Sequence, residues 1–362
     1  MQKKSFFLPE RIMRNALYMR EISVNEAKGA KMETIFLQKP TEKLSLNDGQ
    51  LIVSEPGECQ KEYPLAGMEQ VLVYGNSQIT TQALKACLQE GVRVVYFNSY
   101  GKFLGRLESS YPRNTKRRIQ QYKLYLDPVR RLQWCRELLH TKIQGELIEL
   151  RRLHENGNAF PCKQLRKELK NCQKLLTKTD SLPELLGIEG RSASQYYCSF
   201  SRIIPARYHW KGRQKHPAPD PANAVLSFFY GCAANRIFSE CEKHSLDPYC
   251  GFLHEPGYPG GGIVYDLLET LRATLCDHCA LYVLQNKKIS SAASDTDSFQ
   301  FSAEERIELV RTFDRFFTRT MSRQQSSPQD QLVRLLNLTV SGLASGSDEY
   351  SVPAYRTILG TR

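Results

Sequence analysis

No stretch of the chain approaches the roughly 18 consecutive apolar residues that a membrane-spanning helix needs. The start, Met1-Gln2-Lys3-Lys4-Ser5-Phe6-Phe7, runs into charges rather than into a secretory apolar region. A cytoplasmic protein with no membrane partner is the expectation. Acidic charge is scarce: 38 Asp+Glu stand against 50 Lys+Arg, a formal net charge of +12. Paired CxxC motifs are lacking as well. Cys276-Asp277-His278-Cys279 stands alone inside a helical pattern, so a structural zinc site is disfavoured and the 11 cysteines read as reduced, mostly buried thiols. No internal repeat is present, and nothing in the composition points to overall disorder.

At 362 residues the chain exceeds the usual size of one compact domain, so two are expected. Residues 1–31 are polar and mildly amphipathic and precede a second methionine, Met32. They read as an extension or as a start assigned too far upstream, with no chemistry of their own. Over 32–110, short strand-like runs alternate with turn signals. Leu44-Ser45-Leu46, Asn47-Asp48-Gly49 and Gln50–Ser54 form a hairpin pattern, and a helical piece near Thr80–Glu90 separates two further runs, 70–74 and 92–97. This β-rich domain holds no convergent cluster of ligand types, so folding and dimerisation are its expected roles.

From residue 111 to 362 the period is helical. Helices are predicted over Arg118–Asn156, Pro161–Thr177, a segment opening at Ser181-Leu182-Pro183, Ala222–His244, Asp266–Gln285, Ala303–Arg323 and Pro328–Leu343, the last capped by Ser327. The fold class is therefore α+β: a small N-terminal β-rich domain followed by a larger all-α domain.

The positive charge is concentrated. Between Tyr111 and Lys178 there are 17 Lys/Arg and 6 Asp/Glu. Arg191, Arg202, Arg207, Lys211, Arg213 and Lys215 follow in a stretch between Glu189 and Asp220 with no acidic residue. A solvated helical face accounts for the first stretch as well as a ligand does. The second would repel itself unless a polyanion neutralised it, and nucleic acid is the polyanion expected. Tyr196, Tyr197, Tyr208 and Trp210 are interleaved there and suit base stacking and core packing about equally.

Against this cationic background stand a few acids and one histidine. Glu189 sits between Gly187 and Gly190, glycines that let backbone approach another helix or a ligand closely. His254 closes Gly251-Phe252-Leu253-His254, and Asp266 and Glu269, three apart, share a helix face with Arg272 about a turn beyond. Read alone, the two acids equally fit a solvated helix start, where they complement the helix dipole. Asp220-Pro221 is a helix opening, and Asn223 lies in an otherwise apolar helix that obliges it to find a polar partner. Carboxylates with one imidazole suit a divalent cation, Mg²⁺ or Mn²⁺, on a protein built for chemistry on nucleic acid.

The order and separation of Gly187-Ile188-Glu189-Gly190, the 220–228 segment Asp-Pro-Ala-Asn-Ala-Val-Leu-Ser-Phe, Gly251–His254 and Asp266-Leu267-Leu268-Glu269 with Arg272 resemble the CRISPR-associated adaptation integrase family, from about Met32 to the C-terminus. Two departures are visible: Thr270, where many members carry proline, and the glycine-rich approach Pro259-Gly260-Gly261-Gly262. The resemblance implies metal ligands Glu189, His254 and Glu269, with Asp266 either orienting a ligand or serving as an alternative one. It places Asn223 near the active site, while Arg272, about a turn beyond Glu269, is expected to pair with either acid or to contact a phosphate. It further implies a metal-dependent DNA endonuclease and integrase that inserts new spacers by 3′-hydroxyl transesterification without a covalent enzyme intermediate. Its expected partners are double-stranded and branched DNA, a second copy of the chain bound through the β-domain, and a small ferredoxin-like Cas subunit. The competing readings are a non-catalytic DNA-binding scaffold and a transposon-borne integrase relative.

Overall fold

The computed structural model describes residues 33–98, 103–107, 109, 114–214, 218–255, 262–287, 289, 299–319, 326–344 and 355. The chain forms two compact units that divide between Ser110 and Tyr111. The expectations for residues 1–31 and for positions 259–261 of the glycine-rich approach lie outside the described residues.

The first unit holds two four-stranded sheets. One has the order β1 (Glu33–Leu37), β5 (Met68–Tyr74), β7 (Arg93–Phe97), β8 (Phe103–Leu107); the other runs β4 (Lys61–Pro64), β3 (Gln50–Ser54), β2 (Lys43–Asn47), β6 (Gln78–Ile79). The expected hairpin is β2–β3, with Asn47 opposite Gln50. Asp48 and Gly49, at φ +45° and +76°, supply the two left-handed residues that a tight primed turn requires. β1, β5 and β7 pair in parallel, which needs a crossover. Helix α1 (Thr81–Gln89), capped by the Thr80 hydroxyl, provides it between β5 and β7. Its buried Ala83 and Cys87 share one apolar core with Val71, Val73 and Val94 of one sheet and Leu44 and Leu51 of the other.

The second unit is helical. The single helix expected over Arg118–Asn156 is two, α2 (Thr115–Leu126) and α3 (Pro128–Glu155). Asp127 leaves helical backbone and accepts the Arg130 N–H at 3.0 Å, and proline follows at the first helical position. Asp-Pro is a helix opening here, just as Asp220-Pro221 is further on. Then come α4 (Cys162–Leu176), α5 (Leu182–Cys198), the short α6 (Phe200–Ile203), α7 (Pro221–Lys243), α8 (Gly262–Leu271), α9 (His278–Asn286), α10 (Ala303–Thr318) and α11 (Pro328–Ala344). The helix expected from Asp266 already runs from Gly262, and between α8 and α9 it widens into a π-type segment, Arg272–Asp277.

Long α3 lies at the centre of this unit. Trp134, Leu138, Ile143 and Leu150 join its main apolar core. Gly145 faces the α8–α9 run, where a Cβ would meet Thr274 Cγ2 at an ordinary contact distance of 3.6 Å. The same buried face also carries Lys142, Glu146 and Glu149, an ionic row inside an otherwise apolar contact. Cys276 and Cys279 are core residues whose thiols burial pushes well up, so they pack as small apolar side chains. Among the described residues, no helix is long and apolar enough to cross a membrane.

Candidate active site

Asp266 is fully buried rather than solvated at a helix start, because α8 begins before it and lies against the 251–254 segment. Its Oδ2 accepts the backbone N–H groups of Phe252 at 2.5 Å and Leu253 at 3.1 Å. Its Oδ1 accepts the His254 N–H at 2.9 Å and stands 2.8 Å from His254 Nδ1. One carboxylate thus fixes a loop and an imidazole together. With Nδ1 engaged, the ring can offer only Nε2 to an ion.

The loop reaches this position because Gly251 touches Gly262 at the start of α8. A Cβ on Gly251 would fall 2.4 Å from the His254 carbonyl oxygen and 2.5 Å from the Gly262 carbonyl carbon, both backbone atoms. These are the glycines that permit close approach. Gly187 and Gly190, expected to do so around Glu189, face open space.

Glu189 on α5 and Glu269 on α8 are joined by a residue the sequence reading did not single out. Lys142 Nζ pairs with Glu189 Oε1 and lies 2.8 Å from Glu269 Oε2. Arg272 Nη2 binds the other oxygen of Glu269 at 2.8 Å, so Arg272 pairs with Glu269 rather than with Asp266. Burial works against the charge on Glu269. Arg272 and Lys142 more than offset it, with His254 also within electrostatic reach, and hold the carboxyl down to about 2. Burial likewise opposes the charge of Lys142, which Glu269 and Glu189 restore and raise above the ordinary lysine range.

Asn223 is positioned rather than exposed to a substrate. Its Oδ1 accepts Gln214 N–H at 2.8 Å and Arg213 Nη1 at 2.9 Å, and its Nδ2 donates to Gly212 O at 3.0 Å and Asp220 Oδ2 at 2.7 Å. That uses the whole side-chain amide. Asn223 therefore pins the 212–214 loop to the start of α7. This loop forms one wall of a cleft of about 610 Å³, open to solvent, whose lining includes Glu189, Tyr197, Trp210, Lys211, Arg213, Tyr230 and Arg272. Of the interleaved aromatics, Tyr196 and Tyr208 are core, whereas Tyr197 and Trp210 face this cleft. Arg207 donates to the Leu284 carbonyl at 3.2 Å and lies over the Tyr208 ring, so it ties the helical unit together.

Beneath the cleft, Tyr197 and Tyr230 hydroxyls are 2.6 Å apart, and Tyr230 donates to Asp277 Oδ1 at 2.5 Å. Neither Tyr230 nor Asp277 nor Lys142 stood out in the sequence. The available signal was the polar row Lys142, Glu146, Glu149 at helical spacing among leucines, which reads as one wet face of a basic helix unless the neighbouring helix is known.

A cationic, aromatic-lined cleft that reaches Glu189 and Arg272, the latter paired with buried Glu269, suits phosphodiester chemistry on a polyanion. The comparisons with known proteins agree. The family model described as CRISPR associated protein Cas1 matches residues 35–315. A CRISPR-associated endonuclease Cas1 of Thermus thermophilus is 31% identical over 264 residues, covering 72% of this chain and 77% of that protein. Two solved structures share the fold: a Cas1 protein from Thermotoga maritima, with TM-score 0.74, 18% identity and coverage of 88% of this chain and 99% of that one, and a casposase bound to integration product, with TM-score 0.73, 19% identity and coverage of 89% and 93%. The chain is thus an enzyme, a CRISPR-associated nuclease with a strand-rich first unit and a helical second unit. It belongs to the Cas1 family.

Proposed function

We propose that this Cas1 chain is the catalytic subunit of spacer integration, a metal-dependent DNA endonuclease and integrase that joins a DNA 3′-hydroxyl to a phosphodiester of the repeat. The observation that carries the reading is the pair Glu189 and Glu269, two carboxylates from different helices held together by a single cation, with an imidazole whose Nδ1 is already committed within electrostatic reach of Glu269. As the side chains stand, no three His, Cys, Asp or Glu groups among the described residues converge on one ion. The Lys142 ammonium lies between the two glutamates, and the donor set of two carboxylate oxygens and one imidazole nitrogen fits Mg²⁺ or Mn²⁺.

Glu189, Glu269 and His254 Nε2 would hold that ion. When bound, it would polarise the scissile phosphate and stabilise the charge that builds up during in-line displacement. Asp266 fixes the tautomer and direction of His254. Arg272 sets the rotamer of Glu269 and presents positive charge to the cleft. Lys211 and Arg213 meet the phosphate backbone, while Tyr197 and Trp210 offer ring faces to unstacked bases. Asn223 acts through the loop that carries Arg213. Double-stranded and branched DNA as substrate, a second copy of the chain and a small ferredoxin-like Cas subunit complete the proposed assembly. The intact donor set favours this reading over a non-catalytic scaffold.

The test is strand transfer into a supercoiled repeat-bearing plasmid, with and without the small Cas subunit. His254→Ala should abolish the product while DNA affinity stays near wild type, because affinity comes from phosphate contacts elsewhere. Undiminished transfer by His254→Ala would overturn the assignment.

A further inference from the structure

Lys142 has two sets of acids within reach, and it uses only one. It is 2% exposed and engages Glu189 and Glu269. One helical turn along α3 stands Glu146, 2% exposed, whose Oε2 has no hydrogen-bond partner among the described residues. Across from it, Asp277 is fully buried, with Oδ1 bound by Tyr230 and Oδ2 likewise unpartnered. Lys142, Glu146 and Asp277 all line one small cavity of about 10 Å³. That is about the size of a single water or ammonium group. Buried carboxyls without a cation are costly, and two facing one small void require an explanation. Burial pushes Glu146 up to about 8 and Asp277 up to about 7, with Lys142 opposing the shift on Glu146 and Tyr230 opposing it on Asp277.

An ammonium between two carboxylates and a divalent ion on the same carboxylates exclude one another by volume and by charge. A displaced lysine cannot simply remain buried, since an unpaired ammonium in a dry interior is itself strongly unfavourable. We propose that Lys142 is a displaceable resident cation: it holds Glu189 and Glu269 together while no divalent ion is bound, and on ion binding its ammonium moves into the cavity lined by Glu146 and Asp277. The π-type segment Arg272–Asp277 is what makes the second berth, because the widened turn sets Asp277 against the same cavity that Arg272 lines. The proposal rests on the reading of Glu189, His254 and Glu269 as the metal site.

Calorimetric titration of Mn²⁺ into the full chain tests it without reference to activity. Lys142→Met removes the competitor and should bind Mn²⁺ at least about tenfold more tightly than wild type. Glu146→Gln removes part of the berth and should bind several-fold more weakly, an effect that vanishes when Lys142→Met is also present. Glu269→Ala should lose binding. If Lys142→Met binds no more tightly than wild type while Glu269→Ala loses the ion, the displacement is wrong and the metal site stands. If Lys142→Met does not fold, Glu146→Gln decides, and unchanged affinity overturns the proposal. Wild-type protein that takes up no Mn²⁺, or Glu269→Ala that binds it undiminished, overturns both readings.

Discussion

Asp266 Oδ1 holds His254 twice, through the backbone N–H at 2.9 Å and through the ring Nδ1 at 2.8 Å. The pairing makes a single carboxylate responsible both for where the imidazole sits and for which nitrogen it presents.

Asp266→Asn should separate these roles. If the amide nitrogen takes the place of Oδ1, it faces two donors, and the ring relieves the conflict by moving its proton to Nε2. That tautomer cannot ligate through Nε2. Mn²⁺ affinity should fall by about 10–100-fold without being abolished. The misplaced donor should cost about 1–3 kcal/mol of stability. Nitrogen chemical shifts of the His254 ring read the tautomer directly. An unchanged tautomer with wild-type metal affinity would remove Asp266 from the site.

The glycines give a contrasting pair. Gly251→Ala forces a Cβ into two backbone carbonyl atoms that cannot turn aside, so the 251–254 segment must leave α8. The expected result is loss of several kcal/mol in thermal unfolding, in the upper range of single substitutions. Gly187→Ala lies in the interior of α5 with open space around it and should stabilise the protein by about 0.5–1 kcal/mol. Equal effects at the two positions would contradict the packing described.

The difference between these glycines shows how far the sequence could be read. Local signals were sufficient for the β2–β3 hairpin, the caps at Ser181, Asp220 and Ser327, and the change of period near residue 111, because each depends on residues close in the chain. The motifs carried Glu189, His254, Asp266 and Glu269 by resemblance. Lys142 was invisible for a physical reason: a lysine on a basic helix looks solvated until two carboxylates from other helices are brought to it. The break at Asp127-Pro128 has a local signal, Asp followed by Pro, but apolar spacing that continues across it masks that signal. Which of Gly187, Gly190, Gly251 and Gly262 permit contact depends on pairs of segments, and spacing along one segment holds no record of that.

The basic stretch also divides. Both Lys211 and Arg207 are exposed, but Lys211 lies on the cleft wall, whereas Arg207 reaches the Leu284 carbonyl and the Tyr208 ring instead. Lys211→Glu should weaken DNA binding at every sequence and lower the slope of log K against log salt by about 1, with an unchanged melting temperature. Arg207→Glu should instead destabilise the fold by about 1–3 kcal/mol through lost carbonyl and ring contacts. Salt titrations together with thermal melts distinguish the two, and an unchanged salt slope for Lys211→Glu would take that residue off the DNA path.

The buried acids predict opposite pH dependences. Glu269 has its folded pKa depressed to about 2, so its contribution is present above the ordinary carboxylate range near ~4.3 and is lost as the pH falls toward 2. Glu146 is raised to about 8 by burial, so the folded state keeps a proton that the unfolded chain releases. Its contribution is full below about 4.3 and is lost as the pH rises through 8, with a slope of up to about 1.4 kcal/mol per pH unit for the one proton involved. Glu146→Gln, neutral at every pH, should flatten that decline. Urea unfolding of the metal-free protein at pH 5 and pH 9 checks it: the variant should lose less stability than wild type between the two values and be the more stable at pH 9. A decline as steep as that of wild type would mean that the retained proton is not on Glu146.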